Sequence, residues 1–326
     1  QRCDFDRVAP HRMACLQQAW QGFQAHAPDT ERSDWRAFCH HHAHWLGDYA
    51  LFMVLDARHG GPWPHWPAAL AQRDPSALAT VRAEAAEAIG FWQFVQWRFW
   101  VQWQHLRQHA HRQGVHIVGD APIFVAHHSA DVWAHAHAFE LDSSGHPTAV
   151  AGVPPDYFSA TGQRWGNPLY RWPAMAADGH RWWADRLAHL LAQVDVVRLD
   201  HFRGFEAHWA IPATEPTAMH GQWQPGPGLA LFQSLEAALG HASVPLPIVA
   251  EDLGLITEAV HQLRQACGFP GMRIAHFAFG DGATNPYLPH QFEPDTVAYT
   301  GTHDNNTTLD WWQHVSPTER SAARHY

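Results

Sequence analysis

The sequence predicts an α/β chain: an incomplete (β/α)8 TIM barrel with a helical subdomain inserted in it or flanking it. Three observations carry this. The first hundred residues have helical spacing of apolar residues. From about residue 115 short β-branched runs alternate with helical stretches, which implies parallel strands with right-handed crossovers. Each of four such runs then ends in a carboxylate, and in a barrel of this type the C-terminal strand ends form the active-site face.

In the first part, Val8–Ala25, Arg32–Leu55, Ala77–Glu87 and Ile89–Gln113 are Ala-, Gln- and Trp-rich and nearly free of Gly. Between them, His59-Gly-Gly-Pro-Trp-Pro-His-Trp-Pro67 is a turn-rich connector. We expect residues 1–114 to form the helical subdomain and residues 115–326 the catalytic barrel portion. Strands are expected at Val115–Val118, Val194–Leu199, Pro247–Ala250, Met272–Phe277 and Thr296–Tyr299, with helices at Arg181–Gln193, Gly228–Leu239 and Glu258–Cys267. Phe139–Trp172 reads as one long Pro/Gly-rich loop, and long loops in compact domains are usually functional. Five strands fall short of the eight a closed barrel needs. The chain also begins at Gln1 and stops at Tyr326 within polar, helix-like sequence, so we read it as part of a longer protein.

Composition narrows the function classes. Hydrophobic residues make up 46%, which excludes general disorder. There is no lysine, so the 21 basic residues are all Arg, set against 31 Asp and Glu. A net charge of -10 argues against a phosphate-backbone partner, so no nucleic acid is expected. No apolar run approaches the ~18–20 residues of a membrane span, and no membrane partner is expected. Cys3, Cys15, Cys39 and Cys267 are widely spaced with no C-x-x-C pair, which favours buried thiols and a cytoplasmic location over disulfides.

The carboxylates are Asp120 after Val118, Asp200 after Leu199, Glu251 with Asp252 after Ala250, and Asp304 after Tyr299. A single one would be explained as a cap on the following helix. Four converging on one mouth repel each other, a load that acid/base chemistry or metal binding explains. Two carboxyl groups, one ionised and one protonated, are the minimum for glycoside cleavage through an oxocarbenium-like transition state. Asp200 suits the ionised role, because Arg198 lies two residues earlier on the same strand face. Glu251 suits the acid, since burial can raise its pKa toward the useful ~6–7. A buried ion pair without function is the alternative reading of Arg198 and Asp200.

Several motifs resemble one family. Gly119-Asp-Ala-Pro-Ile-Phe-Val-Ala126, Ser129-Ala-Asp-Val-Trp133, Val150-Ala-Gly-Val-Pro-Pro-Asp-Tyr-Phe-Ser159 and Thr161-Gly-Gln-Arg-Trp-Gly-Asn-Pro-Leu-Tyr170 closely resemble the amylomaltases. These are 4-α-glucanotransferases (disproportionating enzymes) of glycoside hydrolase family 77, in the α-amylase clan. Val197-Arg-Leu-Asp-His-Phe-Arg-Gly-Phe205, Ala250-Glu-Asp-Leu-Gly254, Pro270-Gly-Met272 and Tyr299-Thr-Gly-Thr-His-Asp-Asn305 continue the match in the family's order. The resemblance is dense from Val115 to Trp312, with a weaker echo at Trp45-Leu-Gly-Asp-Tyr-Ala-Leu-Phe52.

The resemblance implies transfer of α-1,4-glucan segments to the 4-hydroxyl of an acceptor glucan, with retention and with no metal or organic cofactor. Asp200 would be the nucleophile, Glu251 the general acid/base and Asp304 the third, transition-state-stabilising carboxylate. Arg198 would hold the nucleophile, His201 and His303 would bind the sugar being cleaved, and Asp120 would be a further sugar-binding carboxylate. Asp156 and Trp165 would lie on a loop covering the cleft, within about 139–172. A retaining pair of carboxyls would stand about 5–5.5 Å apart.

Other readings stay open on the residues alone. A clan hydrolase would replace the acceptor with water, and a carbohydrate-binding protein would bind without catalysis, though it has no need of a nucleophile and acid. His135-Ala-His137, His109-Ala-His111 and His40-His-His-Ala-His44 look like metal ligands, but with 29 His and no Lys we read most as substitute surface residues. Trp92, Trp97, Trp100 and Trp103 read as core or interface packing. His128, Asn306 and Gln291 depart from the family's usual residues without removing a carboxylate.

Overall fold

The computed structural model describes residues 3–156, 159–241 and 243–326. Six helices come first: α1 (Phe5–His26), α2 (Asp29–His41), α3 (Ala43–His59), α4 (Ala68–Ala71), α5 (Pro75–Glu84) and α6 (Ala86–Arg112). Two of these starts are capped by a side chain. Asp4 accepts from the Arg7 N–H, and Asp74 accepts from Ala77 at 2.8 Å with Pro75 opening α5. The stretch expected as one helix, Arg32–Leu55, is two. It breaks at His42, whose ring is buried against Phe38 and Trp100 (centroids 4.4 and 5.0 Å). No Gly or Pro marks that break; packing of one side chain decides it.

The order continues with β1 (Val118–Pro122), α7 (Ala130–Ala134), β2 (Ala149–Val153), β3 (Gln163–Pro168), α8 (Trp172–Ala177), α9 (Arg181–Leu191) and β4 (Val196–Asp200). It ends with β5 (Ala207–Pro212), β6 (Gln222–Pro225), α10 (Leu229–Leu239), β7 (Ile248–Ala250), α11 (Glu258–Ala266), β8 (Gly271–Ile274), β9 (Thr296–Tyr299), α12 (Thr308–His314) and α13 (Pro317–His325). Strands β1, β4 and β7 pair in parallel in that order, and β8 pairs in parallel with β9. The Ala250 N–H donates to the Pro270 carbonyl at 2.9 Å, which joins the two sets edge to edge. Helices lie between β1, β4, β7 and β8, the α/β pattern expected, while only 3-10 turns separate β8 from β9.

Two corrections concern strand placement. The first strand lies three residues later than Val115–Val118, because pairing with β4 starts at Val118 opposite Val196. The run that began as Met272–Phe277 stops at Ile274 and turns into a 3-10 turn over Ala275–Phe277. Asp120 therefore sits inside a strand, while Asp200 closes one and Glu251 follows one directly.

A third correction concerns the segment 139–172, which is not one loop. It carries β2 and β3, and these join β5 and β6 in an antiparallel sheet of order β3-β2-β5-β6. Ala149-Val-Ala-Gly-Val153 lacks polar alternation, so period-2 reading fails there. Gly152 is needed for that pairing, since a Cβ would lie 2.1 Å from the Gln163 carbonyl oxygen.

The main core unites helix residues such as Leu55, Trp63 and Leu78 with Val197, Leu199 and Ala250 of the strands. A separate aromatic cluster, including Trp20, Phe23, Phe38, Phe94 and Trp97, packs α1, α2 and α6 together. Trp92 and Trp100 pack against that cluster, and the Trp103 indole donates to the Gln193 carbonyl at 2.8 Å, so these tryptophans serve packing. His128 is a strut, with Nε2 2.8 Å from Asp56 and Nδ1 accepting from the Trp63 N–H. Of the four cysteines, all free, only Cys267 is buried; Cys3 and Cys15 are exposed, contrary to expectation. No helix among the described residues is long and apolar enough to cross a membrane.

Asp195 fastens α6 to the start of β4. Its carboxylate accepts from Arg107 at 2.6 Å, from the Ile117 N–H at 2.8 Å and lies 2.9 Å from His111. Burial works against ionisation, but Ile117, Arg107 and His111 outweigh it and hold the carboxyl well below the usual range. Asp195→Ala is expected to cost about 2–4 kcal/mol, because it removes the ion pair with Arg107 and leaves the Ile117 amide without its acceptor in a largely closed site. Urea denaturation at neutral pH measures this. The contribution is present above the ordinary carboxylate pKa and fades as pH falls through the lowered one.

Candidate active site

Parallel pairing puts the C-terminal ends of β1, β4 and β7 side by side, and that register assembles the site. Asp120 pairs with Arg198 across β1 and β4, and Leu199 with Ala250 across β4 and β7. The Arg198 side chain is 10% exposed and bridges two carboxylates: Nη1 reaches Asp120 at 2.8 Å and Nη2 reaches Asp200 Oδ1 at 2.9 Å. The sequence reading paired Arg198 with Asp200 only; the bond to Asp120 spans two strands and is invisible without the register.

Glu251 is held by backbone. Its Oε2 accepts from the His201 N–H at 2.9 Å and its Oε1 from the Leu253 N–H at 3.0 Å. The first donor belongs to the residue after Asp200. His201 itself has left-handed backbone (φ 53°, ψ 48°), a conformation uncommon outside Gly. The Glu251 carboxyl is pushed up to about 7, by burial first and by the Asp200 charge second, against the pull of the two amides and Arg198.

The environment of Asp200 differs from expectation. Arg198 lowers its pKa, but burial is the larger influence, and with Asp120 and Asp304 it leaves the carboxyl above its ordinary value. Arg198 therefore offsets, rather than reverses, the cost of burying that charge.

The His201 ring is pushed down to about 3 by burial and stays neutral at physiological pH. It meets the exposed Trp165 indole edge to face at 4.8 Å, and its Nε2 has no hydrogen-bond partner among the described residues. Asp304 and His303 are exposed. His303 Nε2 lies 3.5 Å from Asp304 and 4.0 Å from Asp120, so these two residues border the cluster from beyond β9. The Asp156 Oδ1 accepts from the Ser159 N–H at 2.8 Å. Residues 157 and 158 of the same motif lie outside the described residues.

Two supporting residues went unassigned in the sequence reading. Asp252, next to Glu251, is buried with Arg264, pairs with the half-buried Arg273 and accepts from the Met272 N–H at 2.7 Å, so it ties β7 to β8. Arg203 donates to the Leu255 carbonyl and stacks on Trp223 at 4.0 Å, which pins the segment after Glu251. Arg203 lies inside the motif that contains Asp200, and that position was the available signal.

The expected absence of metal meets one group of interest. Among the described residues, His111, His116 and Asp195 bring ligand atoms within 4.8 Å of one another. They lie at the opposite end of β4 from Asp200, and both Asp195 oxygens already hold Arg107 or Ile117.

A carboxyl that titrates near neutrality beside a second, cation-held carboxylate is the arrangement of an acid and a nucleophile. A family model described as 4-alpha-glucanotransferase, glycoside hydrolase family 77, matches residues 1–326. The chain belongs to this family. It is 48% identical over 328 residues to the 4-alpha-glucanotransferase of Thermus thermophilus, covering 100% of this chain and 65% of that protein. It is 43% identical over 328 residues to the enzyme of the same name from Synechocystis, covering 100% of this chain and 64% of the relative. The fold matches amylomaltase from Streptococcus agalactiae in complex with acarbose with a TM-score of 0.93 at 35% identity, over 99% of this chain and 64% of that one. The chain thus spans just under two thirds of the length of these family 77 proteins.

Proposed function

We propose that the protein is a 4-α-glucanotransferase that works by retaining double displacement. Asp200 attacks the anomeric carbon of an α-1,4-glucan while the Glu251 carboxylic acid protonates the departing 4-oxygen, leaving a glucosyl ester on Asp200. Glu251, now a carboxylate, takes the proton from the 4-hydroxyl of an acceptor glucan, which displaces Asp200 and restores the α-linkage. The observation that carries this reading is Glu251: a carboxyl raised to about 7 and aimed by the amide next to Asp200.

The other roles follow from chemistry. Asp304 stabilises positive charge developing on the sugar, and Asp120 and Arg198 set the field in which Asp200 works. Neutral His201, with Nε2 unpartnered among the described residues, and His303 hydrogen-bond sugar hydroxyls. Trp165 offers an apolar face to a sugar ring, and Asp156 binds glucan from the same segment. Water must be kept from the ester for transfer to prevail, and the segment 139–172 is the cover. No metal or organic cofactor enters the scheme. Residues 1–114 act as the helical subdomain and 115–326 as the catalytic portion, in the cytoplasm.

Incubation with maltotriose, with products resolved by length, tests the reading. Longer oligosaccharides with free glucose are expected; glucose and maltose alone would mean a hydrolase. Trp165→Ala is expected to raise the KM for maltotriose about tenfold, the loss of about 1–2 kcal/mol of ring contact.

A further inference from the structure

A cavity of about 410 Å³ lies between α3, α7 and α9, outside the carboxylate cluster. Trp45 and Trp182 contribute indoles to its lining, and Asp131, His135 and His137 contribute polar groups. The two histidines are the pair whose spacing suggested a metal. His135 is the C-cap of α7 and His137 lies in a 3-10 turn, not in a plain loop. Their rings stand 6.2 Å apart, and they join no metal-competent group among the described residues. No hydrogen bond among those residues engages the Asp131 carboxylate or either ring.

The charges define the ligand. Asp131, Asp178 and Asp185 are set against Arg181 and Arg186, and burial lowers the His135 pKa, so the lining is close to balanced. Neither a phosphate nor a multivalent cation would find the one-signed field it needs. Arg186 is not free to clamp an anion: it donates to the Pro122 and Ile123 carbonyls at 2.7 and 3.3 Å and stacks on Trp183 at 4.8 Å. What remains is aromatic surface beside carboxylate acceptors and imidazole rings. That combination suits a flat, uncharged ring edged with hydroxyl groups.

We infer that the cavity between α3, α7 and α9 is a second, non-catalytic site for a neutral hexose ring, built from Trp45, Trp182, Asp131, His135 and His137. The α-glucan reading of the protein supplies the choice of probe. Through Arg186 the cavity backs onto the end of β1, the strand that carries Asp120.

The test is calorimetric titration of the Glu251→Gln protein with maltose, which such a protein binds without turnover. Two classes of site are expected. Adding Trp182→Ala should weaken one class at least tenfold and leave the other unchanged. Trp182 also packs near Phe139 and Tyr170, so the exposed pair Asp131→Ala with His137→Ala serves as a second variant, with folding checked by thermal melting. In the wild-type background that pair should leave transfer at saturating maltotriose within twofold. One class of site, untouched by either variant, overturns the inference and leaves glucan transfer standing. Binding in the cavity alone would do the reverse, and no binding at all would overturn both.

Discussion

Asp200→Asn is expected to lower transfer from maltotriose by about 10⁴-fold or more, because the amide cannot form the glycosyl ester through which both half-reactions pass. The substitution is nearly isosteric, and the Asn oxygen can keep the 2.9 Å bond from Arg198, so the loss reads chemistry rather than folding. A second readout locates the bond itself. In Glu251→Gln, an activated donor whose leaving group needs no proton should form the ester and then stall, since no base remains to activate the acceptor. Mass spectrometry of the digested protein should find one hexosyl-chain adduct, on the peptide holding Asp200. An adduct on Glu251 or Asp304, or an Asp200→Asn protein of undiminished rate, would end the assignment.

A bell-shaped pH profile is the second large effect. The donor half-reaction needs Glu251 protonated, and its carboxyl is raised to about 7, so kcat/KM should fall about tenfold per pH unit above that value. It also needs Asp200 ionised. Burial, Asp120 and Asp304 keep the Asp200 pKa above its ordinary value, so the acid limb lies above the usual carboxylate range. The sign can be checked with Arg198→Leu. Losing that cation removes a force that lowers both carboxyls, so both limbs should move to higher pH. Glu251→Gln should abolish the alkaline limb with the activated donor. A profile flat from pH 6 to 9 in the wild type would mean that the proton comes from elsewhere.

Much of this site was legible as residue types at strand ends. Asp200 and Glu251 could be found because β-branched runs are followed at once by carboxylates, and because long motifs around them match one family. Strand and helix positions were legible where local forces dominate: Arg181–Leu191 and Glu258–Ala266 fall within a few residues of their expected bounds. The antiparallel sheet built from 139–172 was not legible. Its pairing partners β2 and β5 are more than fifty residues apart, and β2 has no alternation to announce it.

The linear chain by itself determined which groups can ionise, that Arg is its one strong cation, and that carboxylates recur in or just after its β-branched runs. The tertiary structure decided which of those groups meet and in what state of charge. Arg198 serves Asp120 as well as Asp200 because parallel pairing sets β1 beside β4. Glu251 is held by the His201 amide because β4 and β7 lie side by side. Its proton affinity follows from burial and from a neighbouring charge. Both are properties of the space around a group, and spacing along the chain does not encode them.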